Sequence, residues 1–398
     1  MSGPREKGSR EVRKDRMRRL FSRYRRYGTL ENRTCWPVVG RTTTKHRRTA
    51  MNTTTTIGLD LGNKNHKAVG LAPDGKQLFR EEVVNTPESV RDFFTRHAGA
   101  TIGMETGTHV RWIAALAREC GCRPVVGNAR KLRLIFESSR KNDWRDAELI
   151  AELCRTNKKL FHPVELRPEE RHRLLQLLKM RDVLVASRTK LVNSVRGLCK
   201  ANGVFLPKCS AESLPNRADA IPAGDREMFE PVLEEIESLT GRIRQLDGMI
   251  RRYAGEHFKE DIELLQTIPG VGMVTSTCFV AAIPSVTVFD DPRDAGAYFG
   301  LVPRQDQSGD TDRPRHITKE GNGMARRNLV TAANYILRED SPETGLKRFG
   351  VQVRGPGKGK VAKRRAKTAV ARKLAVVMAA MLKSRKPYDG SAGKVNRA

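Results

Sequence analysis

Hydrophobic runs are short in this chain. The longest, Leu374 to Leu382, covers nine residues, against the ~20 that a membrane helix needs, so a membrane span is excluded. The opening MSGPREKGSREVRK has no apolar stretch of a secretory signal, and a cytoplasmic, nucleoid-associated location is expected. The seven cysteines are an odd number and scattered; only Cys120 and Cys122 lie close together and no second pair accompanies them. A structural zinc site therefore has little support, and all seven read as reduced thiols, most of them small core fillers. A G-x-x-x-x-G-K-[ST] nucleotide loop is missing as well, which gives no support to ATP-driven chemistry.

Acidic side chains are scarcest at the two ends. Of the 398 residues, with a net charge of +30, positions 1–50 hold 16 basic and 4 acidic side chains, and positions 344–398 hold 16 basic and one acidic, Asp389. The stretch between them is nearly balanced, with 43 basic against 40 acidic. A near-neutral body with two basic ends suits a polyphosphate partner, DNA or RNA. Solvated tails that aid solubility are the plainer alternative. With 38% hydrophobic residues the chain can bury real cores, and its length predicts two or three domains.

What is present divides into five stretches. Residues 1–50 form a basic, flexible extension, and Met51 is a candidate start of the folded protein. Residues 51–160 read as α/β. Strands are expected at Ile57–Leu61, His66–Ala72 and Gln77–Val84, joined by Pro73-Asp74-Gly75, and Thr86-Pro87-Glu88 opens a helix. A strand at Thr101–Met104, a helix at His109–Cys120, a strand at Pro124–Val126 and a helix at Asp143–Cys154 complete a ribonuclease-H-like order. Residues 161–258 carry heptads: Leu177, Leu184, Leu191 and Leu198, then Val232, Ile236, Leu239, Ile243, Leu246, Ile250 and Tyr253. Such repeats favour coiled-coil oligomerisation helices, with Arg181 and Arg188 on the seam. An intramolecular helical hairpin fits the same repeat. Residues 259–345 form a mostly helical unit around Ile268-Pro269-Gly270-Val271-Gly272. Residues 346–398 read as a basic tail with one helix, Val361–Leu382.

Four acids stand out. Asp60 ends the first strand, Glu105 follows the fourth, and Asp143 and Asp146 lie three apart on one helix face. In a ribonuclease-H-like sheet the first and fourth strands are neighbours, so these carboxylates converge. Two Mg²⁺ ions would relieve their repulsion and polarise a phosphoryl oxygen. Pro269, Gly270 and Gly272 fit a helix-hairpin-helix turn that holds a phosphate through backbone amides; a plain Pro-Gly turn between core helices fits nearly as well. Ser308 stands in a polar loop with Arg304, Arg313, Arg315, His316 and Lys319, cations able to bind a phosphate and assist hydroxyl attack.

The segments GLDLGNKNHKAVGL, MET at 104–106, KNDWRDAELIAEL, IPGVG and GLVPRQDQSG…RHITKEGNG together resemble the insertion-sequence one-ten family of DEDD transposases. The resemblance spans about 51 to 385. It implies a RuvC-like domain whose tetrad is Asp60, Glu105, Asp143 and Asp146, a C-terminal transposase domain whose serine nucleophile is Ser308, and Mg²⁺. It further implies a recombinase guided by a noncoding RNA from the element, acting as dimers that join into a tetramer. The basic extension has no counterpart in that pattern, and Ser308 stands alone where many relatives carry two serines in tandem. A junction-resolving nuclease using the four acids and water is the alternative, and a binding protein without catalysis is a third class.

Overall fold

The computed structural model describes residues 54–133, 142–305, 307–308, 311–312, 316–357 and 359–390; of Arg133, Lys158 and of 307–308 and 311–312 it describes the backbone. The basic extension 1–50 lies outside these residues. Strands β1 (Thr56–Asp60), β2 (Asn65–Leu71), β3 (Gln77–Val84), β4 (Thr101–Glu105) and β5 (Arg123–Gly127) form one sheet in the order β3-β2-β1-β4-β5. The first three are antiparallel neighbours, whereas β4 runs parallel to β1 and β5 parallel to β4. Two parallel pairings after a meander are compatible with a ribonuclease-H-like domain. β1 is buried along its first four residues, as befits a strand covered on both faces.

Helices α1 (Pro87–Arg96) and α2 (Val110–Glu119) cover one face, where Leu59, Ile102, Met104, Phe93, Phe94 and Ile113 form the core. α1 starts where its cap dictates: the Thr86 hydroxyl accepts from the Ser89 amide at 3.3 Å and Pro87 occupies the first turn. The short α3 (Ala129–Arg133), α4 (Asp143–Thr156) and the single turn α5 (Lys158–Phe161) serve the other face, where Ala147, Ile150, Ala151, Cys154 and Phe161 are buried.

Next come α6 (Glu169–Ala201) and α7 (Ala223–His257), packed on each other within the chain. Arg181 pairs with Asp247, and the buried Arg188 donates to Thr240 Oγ1 at 3.0 Å, so the helices run antiparallel. The residues expected to fix a coiled-coil partner are thus satisfied inside a hairpin. Its buried seam on α6 is Leu174, Leu178, Arg188, Val192, Val195 and Cys199, one position later than the leucine heptad. Leu177, Leu184 and Leu191 are half-buried and Leu198 is exposed.

The largest core joins the hairpin base to α8 (Lys259–Gln266), α9 (Met273–Ala282), α10 (Asp294–Tyr298), α11 (Gly323–Ile336), α12 (Gly345–Arg354) and α13 (Lys360–Ser384). The segment expected as a basic tail with one helix holds two, α12 and α13. Val370, Leu374, Ala375, Met378 and Leu382 of α13 are buried in this core. Apart from Lys383 in its last turn, the charge of α13 lies within residues 360–373, and Leu374 to Leu382 form an apolar plug. Cys122, Cys154, Cys199 and Cys278 are buried, and burial pushes the Cys278 thiol up to about 12. Among the described residues no helix is long and apolar enough to cross a membrane.

Candidate active site

Side chains alternate across a strand, and two glycines reveal which way the acids face. A Cβ on Gly58 would lie 2.0 Å from the Ala147 carbonyl oxygen, and one on Gly103 would lie 2.9 Å from Cys154 Cβ. Both glycines therefore sit directly beneath α4, which presses onto β1 and β4 because neither position has a side chain. Asp60 and Glu105 lie two residues further on, so both acids face α4. The register Leu59↔Met104 brings them level at the ends of adjacent parallel strands.

α4 delivers the other two acids. The Asn142 side chain caps it by accepting from the Trp144 amide at 3.0 Å, which sets Asp143 and Asp146 in the first turn. Carboxylates there complement the positive end of the helix dipole. Lys67 ties this turn to the sheet. It stands opposite Asp60 in the β1–β2 register, pairs with Glu82, and holds its ammonium 5.0 Å from the centre of the Trp144 ring. The four acids thus share one end of the sheet, Asp143 exposed and the other three half-buried. Carboxylate oxygens are the hard donors that a divalent cation takes, so the donor set suits such an ion. Among the described residues, however, no three His, Cys, Asp or Glu side chains are gathered closely enough to hold one.

The serine segment stands on a two-stranded ribbon. Gly300 and Gly321, with φ +64° and +71°, let its two limbs touch: a Cβ on Gly300 would lie 2.4 Å from the Glu320 amide nitrogen. Above them Thr318 donates to Val302 O at 2.9 Å and Arg304 to His316 O at 3.0 Å. The ribbon continues as β6 (Gln307–Ser308) against β7 (Thr311–Asp312), with Ser308 opposite Thr311. Arg326 of α11 fastens the base by donating to Phe299 O at 3.1 Å and Glu320 O at 2.8 Å. Arg304, His316 and Lys319 are exposed along the limbs. Arg313 and Arg315 lie outside the described residues, as does the side chain of Ser308.

The turn between α8 and α9 faces inward more than expected of a phosphate-binding loop. Ile268 and Val271 are buried, and Gly270, at φ +90°, is pressed against α11, where a Cβ would meet Tyr335 at 2.7 Å. Pro269 is half-buried, whereas Gly272 is exposed and opens α9 with no side-chain cap.

Sequence reasoning passed over Lys67 and Trp144. The signals were available: Lys67 occupies the position of β2 that faces α4, and Trp144 lies between two of the acids. Without the register, neither could be tied to Asp60.

Comparison with known proteins agrees with this layout. A family model described as a transposase of the DEDD IS110 type matches residues 57–201, and a second, "Transposase IS116/IS110/IS902 family", matches residues 262–345. The first takes in the sheet, its acids and α6; the second takes in α8 to α11 and the serine ribbon. The transposase for insertion sequence element IS1111A of Coxiella burnetii is 28% identical, covering 86% of this chain and 94% of its own length. The transposase for element IS1328 of Yersinia enterocolitica is 26% identical, over 74% of this chain and 87% of its own. A DEDD transposase domain suggests a divalent metal ion. With two models of one family on successive parts of the chain, and relatives matched nearly end to end, the chain belongs to the IS110 family of insertion-sequence transposases, enzymes that act on DNA.

Proposed function

We propose that this transposase cuts and rejoins DNA through the hydroxyl of Ser308, with Asp60, Glu105, Asp143 and Asp146 as the ligands of Mg²⁺. The observation that carries this reading is the shared orientation of Asp60 and Glu105 toward the first turn of α4. Bound there, Mg²⁺ would polarise the scissile phosphate and ease the charge on the attacking and leaving oxygens. Ser308 Oγ forms a bond to phosphorus as the strand's own P–O bond breaks, and the departing oxygen takes up a proton equivalent to the one that serine loses. The phosphoserine link keeps the phosphodiester energy, so rejoining reverses the same exchange without a nucleotide. Arg304, Arg315, His316 and Lys319 would hold the phosphate beside the serine, and Pro269, Gly270 and Gly272 would hold one further along the DNA. A guide RNA from the element suits the net charge of +30. A homodimer, pairing into a tetramer, would let one subunit's acids act with another's serine.

A denaturing gel of labelled DNA tests this. Ser308→Ala should form no covalent protein–DNA adduct, and Asp60→Asn or Asp143→Asn should lower cleavage at least ~10³-fold while leaving binding intact. Mixing Ser308→Ala with Asp60→Asn should restore product. Cleavage without any adduct in the wild type would favour the junction-resolving nuclease, which uses the acids and water alone.

A further inference from the structure

We propose that a cleft between α11, α12 and α13 holds an unpaired stretch of nucleic acid, with one base stacked on Tyr335. The proposal rests on the reading of this chain as a nucleic-acid enzyme and adds a site to it. The cleft measures about 520 Å³ and is lined in part by Asn334, Arg338, Arg354, Lys363 and Lys367, a size suited to a small ligand group. Arg354, Lys363 and Lys367 form no ion pair among the described residues, while Lys360 and Arg364 stand exposed nearby on α13. Because the second half of α13 is locked into the core, this charge is rigidly mounted.

An aromatic platform adjoins the cations. Tyr335 is 43% exposed, and the Arg338 guanidinium lies 5.7 Å from its ring centre. The Cδ1 edge of the Tyr335 ring meets the turn at Gly270. A continuous path therefore runs from that turn across Tyr335 and Arg338 into the cleft. Cations beside an exposed ring make the combination that binds single strands, where bases stack and phosphates meet positive charge. Glu339 and Asp340 share the cleft lining. Asp340 is paired with Arg338 at 2.7 Å, whereas Glu339 repels a second row of phosphates and can accept from the amino group of a base. An unpaired strand suits this mixture better than a duplex.

Fluorescence anisotropy on the full chain in EDTA, with 20-nucleotide dT and rU oligomers and a 20-base-pair duplex, tests the proposal. Lys363→Gln combined with Lys367→Gln should weaken single-strand binding roughly tenfold and lower its salt slope by about 1.4, with a less than twofold change for the duplex. Tyr335→Ala should weaken it at least ~5-fold, and Tyr335→Phe should stay within about twofold of wild type. The oligomer that shows the larger loss identifies the strand as DNA or RNA. Unchanged single-strand affinity, an equal loss for the duplex, or a Phe variant as weak as Ala would overturn the site. None of those results bears on the adduct assay above, so the two readings fail separately.

Discussion

Single atoms decide how α4 meets the sheet. Gly58 has no room for a methyl group, since a Cβ would stand 2.0 Å from backbone. Gly58→Ala should therefore destabilise the protein by about 2–3 kcal/mol, read as a lowered urea midpoint. Gly107→Ala, with open space around it, should change stability by less than about 0.5 kcal/mol. The same substitution at Gly58 should depress DNA cleavage, because the helix carrying Asp143 and Asp146 would be lifted. His66 offers a second check. It is fully buried, and burial holds its pKa below the usual 6.5, the nearby Asn85 side chain opposing and His109 adding to the shift. The folded protein therefore binds this proton less readily than the unfolded chain, and stability falls as pH drops below about 6.5. His97 and His172 are shifted the same way by burial. Urea midpoints should decline between about pH 6.5 and 5, above the ordinary carboxylate range, and His66→Gln should flatten the decline. A midpoint constant across that window would refute the assignment.

Elements were legible wherever turn chemistry and periodicity agreed. The three-strand meander, the capped α1 and the helix bearing Asp143 begin within a residue or so of where the sequence sets them, because Pro73-Asp74-Gly75, Thr86-Pro87 and Asn142 leave the backbone few choices. The order of parallel pairing followed from that reading. The hairpin was harder. α6 has two apolar stripes, and the leucines mark the outer one while the buried seam includes Arg188, which hydrophobicity cannot reveal. α12 and the plug of α13 were missed for a related reason: Lys and Arg spaced among Val, Leu and Ala look like a tail until a core is found beneath them. At the site, strand ends disclosed Asp60 and Glu105, whereas Lys67 needed the register. In the proposed homodimer the outer stripe of α6 is the expected contact. Met180 and Leu198 stand 64% and 55% exposed on it, beside half-buried Leu184 and Leu191, which suits contact with a second copy. Met180→Glu with Leu198→Glu should convert dimer to monomer in sedimentation velocity without altering the circular dichroism spectrum. A wild-type monomer, or an unaltered dimer in the variant, would remove this face from assembly.

For the whole molecule, charge and structure are distributed differently. The sixteen cations of residues 1–50 precede a sheet whose first strand begins at Thr56. Deleting 1–50 should leave thermal stability and the rate of strand cleavage unchanged, yet weaken nonspecific DNA binding and reduce its dependence on salt. An unchanged slope would show that the extension is no nucleic-acid arm.

The buried half of α13 also fixes an order of events during synthesis. Chains fold from the N-terminal side as they emerge, and the sheet with its four acids is complete once the strap after α5, which pairs Val164 with Val126 and packs Leu166 on the core, has been made. The helical core under the serine ribbon cannot close until Val370 to Leu382 have been made, because those residues fill its centre. A ribosome halted anywhere in between would release the sheet and its acids with the ribbon's foundation incomplete. A gene copy interrupted by a premature stop codon should then yield a protein that retains its acids but cannot break the chromosome that carries it.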